Sequence, residues 1–325
     1  MDYCDFFKNK FGNSYMNQYE NLLPKANSFH GSFLGKLSET SLSQDQYFQR
    51  VSEVMFSINL INCGFEVEND AKISTNGTDI DIKANRNSTV FNIEIKTPDQ
   101  TIQDDDTLYG HKGLFRYSND KNASLNLIID DYEHIKKEFL NAGAKVSDAK
   151  LNDNKLKDYL VSAQNKFNYP STNEVNVLII CVSTQNLNYF LNYISNPYTG
   201  LFSNTPYIDK VLYDKVDFIV LSNSIEGHLD DKFNFNVWDT NNYIHLFIPN
   251  RHSYLANSID SNSALQLLTH FKDTYAELAE YSCDKKVQQK FMDNGIYDAF
   301  HELLFLDFIA EKHPMFCLNL KQRVY

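Results

Sequence analysis

The sequence lacks an excess of positive charge. Its 325 residues include 30 lysines and arginines against 42 aspartates and glutamates, which gives a formal net charge of −12. Phosphate binding normally draws on clustered Lys and Arg, so this balance opposes a nucleic acid partner at long range. A local basic groove is still compatible with such a partner, because carboxylates that bind metal themselves add negative charge.

Several familiar motifs are also missing. The five cysteines form no C-x-x-C pair, which argues against a zinc or disulfide framework and predicts reduced thiols in a cytoplasmic protein. The 11 glycines form neither G-x-x-x-x-G-K nor G-x-G-x-x-G, so an ATP-driven activity has no support. The histidines lack H-x-x-x-H and H-E-x-x-H spacing. There is no run of eighteen apolar residues and no secretory pattern at the N-terminus, so we expect no association with a membrane.

What is present predicts a mixed α/β fold in three regions. Residues 1–42, broken by glycine and proline, are expected to form an irregular and helical arm. Residues 43–183 alternate helical and strand patterns and are expected to form the core. Residues 184–325 add strands and helices, either within the same domain or as a region for target recognition or dimerisation.

The core begins with a helix and a meander of strands. Ser43 and Gln46 fit a capping box, apolar residues recur at helical spacing to Ile61, and Gly64 is placed for a left-handed C-terminal cap. Three strands are predicted to follow: Phe65–Glu68, Asp79–Ile82 and Val90–Lys96, with a turn region over Lys83–Val90. The remaining predicted helices are Asp131–Leu140, Leu151–Lys166, Asn186–Ile194, Ala264–Tyr281 and Tyr297–Glu311, and the remaining predicted strands are Val175–Val182, Val216–Leu221 and Tyr243–Ile248.

Two of these strands carry charged residues on one face. Residues two apart in a strand point the same way, so Asp79 and Asp81 share a face, as do Glu94 and Lys96. If the strands pair, three carboxylates and one ammonium converge on one polar patch. Carboxylate oxygens at this density suit a hard cation such as Mg²⁺.

The spacing of an acidic residue, any residue and lysine is not specific by itself, because it occurs seven times in the chain. Glu94 and Lys96 differ from the other matches because Phe91, Ile93 and Ile95 predict a buried central strand around them. Charged side chains on such a strand need partners or a chemical role. Two alternatives stay open: an ion pair of Asp81 with a neighbouring lysine, and a Glu94–Lys96 pair on a solvated sheet face.

This arrangement resembles the PD-(D/E)XK nuclease superfamily, which has the restriction-endonuclease-like fold. The resemblance covers residues 45–100 well and extends loosely to 183. In that superfamily a helix precedes a three-stranded meander, with an acidic residue on the second strand and E-x-K on the third. The acidic residue corresponds to Asp81, with Asp79 as the alternative on the same face, and E-x-K corresponds to Glu94-Ile95-Lys96.

The resemblance implies a metal-dependent endonuclease that hydrolyses phosphodiester bonds in DNA. Asp81, Glu94 and the carbonyl of Ile95 would bind Mg²⁺ or Mn²⁺, and Lys96 would orient the attacking water. Glu53 lies where many members place a helical glutamate near the metal, although it falls off the apolar stripe and solvent exposure is the alternative. By analogy of fold, we expect a role in restriction or anti-phage defence.

The best local candidate for DNA contact is a basic and aromatic segment that contains Lys112, Arg116 and Lys121, and a solvated loop is its alternative. Many superfamily members cut as dimers, so the resemblance implies a homodimer. RNA is the alternative substrate. A catalytically silent subunit that binds a basic protein partner in a defence complex is a second alternative, which the charge of −12 favours.

Overall fold

The computed structural model describes six continuous stretches of the chain, together with isolated helical positions elsewhere. The stretches are residues 44–73, 78–98, 152–196, 200–229, 233–256 and 297–316. The predicted N-terminal arm over 1–42 lies outside them apart from three isolated helical positions, and Ser43 lies outside as well. The helices predicted over 131–140 and 264–281 also lie almost wholly outside the described residues.

One six-stranded mixed sheet organises the described residues, and its strands lie side by side in chain order. The strands are β1 (Glu66–Lys72), β2 (Asp79–Arg86), β3 (Thr89–Lys96), β4 (Glu174–Cys181), β5 (Phe218–Ser222) and β6 (His245–Pro249). Strands β1, β2 and β3 form an antiparallel meander. Strands β3, β4 and β5 are parallel, and β6 returns antiparallel to β5.

Helices flank this sheet, which confirms the predicted mixed α/β class. The α-helices are α1 (Gln44–Asn62), α2 (Asn152–Lys166), α3 (Thr184–Ser195), α4 (Glu226–Leu229) and α5 (Tyr297–Lys312), and the 3-10 turns are Lys210–Leu212, Thr240–Asn242 and Pro314–Phe316. Helices α2 and α3 supply the connections that two neighbouring parallel strands require. Since β5 and β6 extend the sheet of the earlier strands, the chain after residue 184 contributes to the same sheet.

The hairpin between β2 and β3 is tighter than the sequence predicts. The pattern places a turn region over Lys83–Val90, but strand pairing continues from Ile82↔Ile93 to Arg86↔Thr89. Only Asn87 and Ser88 make the turn, and both have positive φ, of 50° and 68°. A two-residue loop with left-handed backbone matches the twist of an antiparallel pair. The polar sequence Lys83-Ala84-Asn85-Arg86 hides this strand extension, because local composition resembles a loop.

The core lies on both sides of the sheet. One cluster joins alternate residues of the parallel strands, such as Leu178 and Ile219, to buried residues of α2, α3 and α5. The second joins the opposite set, such as Ile93 and Val177, to Phe56 and Leu60 of α1. Strand β4 is buried along nearly its whole length, as its continuous apolar run predicts for a strand covered on both faces.

Helix α1 ends as predicted, and its end directs the chain into the sheet. Gly64 has φ +82°, a left-handed conformation that glycine adopts without strain. Its N–H donates to the carbonyl of Ile61 at 2.9 Å. The cap thereby places β1 next to α1, and α1 contacts β1, β2 and β3. None of the helices in the described stretches combines the length and the apolar character needed to cross a membrane.

Candidate active site between strands β2 and β3

The charged residues meet where the backbone pairing of β2 and β3 stops. The paired register runs as far as Ile82↔Ile93, and Asp81 and Glu94 come next on their strands. Beyond this point the N–H of Ile95 donates to Oδ2 of Asp81 at 2.6 Å. A side-chain carboxylate thus occupies the position of a strand acceptor, and it ties the two acidic strands together at their polar ends.

Glu94 lies at the centre of a charged cluster that also contains Asp81, Lys96, Lys166 and Glu53, and it has no exposed surface. Its Oε1 lies 2.7 Å from Nζ of Lys96 and 2.6 Å from Nζ of Lys166. Oε2 of Glu94 has no hydrogen-bond partner among the residues that the structure describes. One carboxylate oxygen therefore faces two ammonium groups, and the other has no donor in the described part of the chain.

Helix α1 brings two further polar residues to this end of β3. The sequence left two interpretations of Glu53, a position near the site and exposure to solvent. Its side chain is only 8% exposed, so it is not solvent-exposed. Gln49, one turn earlier, donates from Nε2 to Oε1 of Glu53 at 3.1 Å and to the carbonyl of Ile95 at 2.8 Å. Its Oε1 accepts the N–H of Thr97 at 3.0 Å. Gln49 thereby replaces a neighbouring strand for the last backbone groups of β3.

Burial and neighbouring charges shift the pKa values of Asp81 and Lys166. Burial and the nearby charges of Glu94 and Glu53 raise the pKa of Asp81 to about 7, although the Ile95 N–H and Lys166 act in the opposite direction. Burial lowers the pKa of Lys166, but its contact with Glu94 and the charges of Asp81 and Glu53 outweigh burial and raise it. Lys166 therefore compensates part of the negative charge of the carboxylates near it.

The remaining predicted site residues have different positions. Asp79 lies on the same face of β2 as Asp81 and is partly buried, with an Oδ1 that has no hydrogen-bond partner in the described residues. The carbonyl of Ile95, predicted to bind metal, already accepts one hydrogen bond from Gln49 and keeps a second lone pair. Lys112, Arg116 and Lys121 lie outside the described residues, as does the rest of that basic segment.

The donor chemistry of the cluster fits a hard divalent cation, since Asp81, Glu94 and Glu53 offer carboxylate oxygens and the described residues supply no donor to the buried Oε2 of Glu94. In the described part of the chain, however, no three acidic, histidine or cysteine side chains form a group that could hold a metal ion. The ammonium groups of Lys96 and Lys166 lie instead against the central carboxylate.

Sequence reasoning missed Lys166 and Gln49. Lys166 ends α2, where a cation is ordinary because it interacts favourably with the helix dipole. The feature of the sequence that could have identified Lys166 is its position beside the buried stripe formed by Leu156, Leu160 and Ala163. Gln49 stands one helical turn before Glu53, a spacing at which polar side chains interact, but its backbone partners Ile95 and Thr97 are distant in sequence.

Comparisons of the chain with protein-family models, with curated proteins and with solved structures give no match.

Proposed function

We propose that this protein is a divalent-metal-dependent endonuclease that hydrolyses phosphodiester bonds in DNA. The observation that carries the proposal is the ion pair of the buried Glu94 with Lys96 on β3, next to Asp81 of β2, which accepts the N–H of Ile95. Glu94 and Glu53 are buried and Asp81 and Lys96 are partly buried, and these residue types on three elements are those that the PD-(D/E)XK resemblance implies. The restriction-endonuclease-like fold is part of this proposal, and the order of helix, meander and parallel strands agrees with it.

In this proposal Asp81 and Glu94 hold Mg²⁺ or Mn²⁺ with the carbonyl of Ile95, and Asp79 is the alternative aspartate. The bound cation would supply Lewis-acid activation of a phosphate and a water of lowered pKa. Lys96 orients the attacking water and offsets the negative charge that develops on the phosphate. Asp81 also holds the Ile95 N–H, so it fixes the strand that carries both Glu94 and Lys96.

The direct test is cleavage of supercoiled and linear DNA by the purified protein with Mg²⁺ or Mn²⁺. We expect metal-dependent cutting, and a loss on the order of a hundredfold or more in Glu94→Gln and in Lys96→Ala, since each removes a group that acts on the transition state. Lys72→Ala is the matched control, because Asp70 and Lys72 have the same acidic-x-Lys spacing on β1. Circular dichroism checks that each variant is folded.

Full activity in Lys96→Ala, or no metal-stimulated cleavage of any nucleic acid, would contradict the proposal. Single-stranded and structured RNA are tested beside DNA, because the same cluster suits either backbone and cutting of RNA alone would reassign the substrate.

A second candidate is a catalytically silent subunit that binds a basic protein partner. One observation favours it: the charge of Glu94 is already compensated by two lysines of the same chain. Such a protein needs no metal, so wild type and Glu94→Gln would both be inactive on every nucleic acid and would bind the partner equally well.

A further inference from the structure

Two ammonium groups share one carboxylate oxygen at the centre of the cluster. Nζ of Lys96 and Nζ of Lys166 both approach Oε1 of Glu94, at 2.7 Å and 2.6 Å. One cation is enough to neutralise one carboxylate, and two like charges at such short range from the same atom repel each other. Glu94 alone therefore does not require the second ammonium, whose charged form the nearby Asp81 and Glu53 also favour.

We infer that Lys166 is a resident counter-ion of Glu94, which a divalent cation displaces when it binds. This inference rests on the proposed function. Glu94 has no exposed surface, whereas the side chain of Lys166 is 24% exposed, so the ammonium has a route to solvent that the carboxylate lacks. A cation that binds Glu94 competes directly with Lys166 for the Oε1 position, and it also gives a partner to the buried Oε2.

Lys166, rather than Lys96, is the group that leaves. Lys96 belongs to β3 itself, two residues from Glu94 on the same face. Lys166 reaches the cluster from another element, at the end of α2. There the last carbonyl groups of the helix offer an alternative site for a cation, and the flexible lysine stem allows the movement. Displacement also frees an ammonium next to the cation, where a substrate phosphate would bind.

The first test measures Mn²⁺ binding by isothermal titration calorimetry without nucleic acid. Lys166→Met keeps the length of the side chain and removes its charge. We expect it to bind Mn²⁺ more tightly than wild type, on the order of tenfold, because the competing ammonium is gone. Lys157→Met is the matched control, since it removes the same charge from an exposed position of the same helix, and we expect its affinity to equal that of wild type.

The second test uses the unaltered protein, so it does not depend on the folding of a variant. Lysines are labelled with a trace of acetic anhydride, with and without saturating Mg²⁺, and each position is quantified by mass spectrometry. We expect labelling of Lys166 to rise severalfold with Mg²⁺, because its ammonium leaves the carboxylate, while labelling of Lys157 stays constant.

The outcomes separate this inference from the proposed function. Equal or weaker Mn²⁺ binding by a folded Lys166→Met protein, or unchanged labelling of Lys166 when Mg²⁺ is bound, overturns the inference and leaves the nuclease proposal intact. Absence of Mn²⁺ binding in both wild type and Lys166→Met overturns both.

Discussion

Asp81 and Asp79 occupy the same face of β2 but have different neighbours. Asp81 binds the backbone of β3 through the Ile95 N–H, at 2.6 Å, and the charges of Glu94 and Glu53 act on it. For Asp79 the structure gives a partly buried carboxylate with one oxygen that lacks a hydrogen-bond partner in the described residues. The difference makes Asp81 the better candidate for a metal ligand, because it already lies with the other carboxylates.

Replacement of these two aspartates separates their roles. If the protein is the proposed nuclease, we expect Asp81→Asn to lower the rate of DNA cleavage by at least about a hundredfold, since it removes the charge of the proposed metal ligand while keeping the shape of the side chain. Asp79→Asn should reduce the rate by a much smaller factor. The measurement is the initial rate of plasmid nicking at a fixed Mg²⁺ concentration, and a larger loss in Asp79→Asn would transfer the ligand role to Asp79.

At the scale of elements, the side chain of Gln49 links helix α1 to the end of strand β3. Gln49 uses both ends of its amide, donating to the Ile95 carbonyl at 2.8 Å and accepting the Thr97 N–H at 3.0 Å. These backbone groups lie where β3 passes beyond its pairing with β2. The amide therefore holds the strand that carries Glu94 and Lys96 against the helix that carries Glu53.

Loss of this contact should lower stability. Gln49→Leu removes the partner of the Ile95 carbonyl and of the Thr97 N–H, two partly buried hydrogen bonds, which costs about 1–3 kcal/mol of unfolding free energy. Urea denaturation followed by circular dichroism measures the loss. Asn62→Leu is the control, because it makes the same amide-to-leucine change at an exposed position of the same helix. A Gln49→Leu protein as stable as wild type would show that these hydrogen bonds do not hold α1 against β3.

Buried histidines link the stability of the whole molecule to pH. His228 is buried against Trp238, with ring centroids 4.8 Å apart, and burial lowers its pKa to about 3. His245 is also buried, and its pKa falls to about 4 for the same reason. In the unfolded chain each imidazole has a pKa of about 6.5, so between these limits the unfolded state binds more protons than the folded state.

The contribution of the buried, neutral His228 to the free energy of unfolding is therefore fully present above about pH 6.5. It is lost as the pH falls toward 3, by about 1.4 kcal/mol per pH unit in that window. We expect the stability difference between wild type and His228→Gln to shrink with this slope as the pH is lowered. Fluorescence of Trp238, the only tryptophan in the sequence, reports unfolding in urea. A difference that stays constant between pH 6.5 and 4 would contradict the prediction.

Asp217 provides a control, because its effect on stability should depend on pH in the opposite direction. Burial raises its pKa to about 7 even though it accepts the N–H of Asn176 at 2.9 Å. Between about pH 4 and 7 the folded state holds a proton that the unfolded state releases, so its contribution to stability decreases as the pH rises. The stability difference between wild type and Asp217→Asn should therefore change with pH in the direction opposite to that for His228→Gln.

Local patterns in the sequence determined the types of the elements. The stripe of α1, its end at Gly64 and the apolar run of β4 each depend on residues close together in the chain, so they were predictable. Side chains alternate between the two faces of a strand, so the sequence likewise predicted that Asp79 shares a face with Asp81 on β2 and that Glu94 shares a face with Lys96 on β3. The length of the β2–β3 hairpin was predicted wrongly, because Lys83 to Arg86 resemble a loop in composition but pair as a strand.

Tertiary structure alone decided which charges share a buried space. Lys166 looks like an ordinary cation at a helix end, and Gln49 like an ordinary polar residue of a helix, until α2 and α1 are placed against β3. No local pattern specifies that two lysines from different elements meet one oxygen of Glu94. The burial of that oxygen, and hence the strength of its interactions, arises only when the whole sheet and its helices exclude water around it.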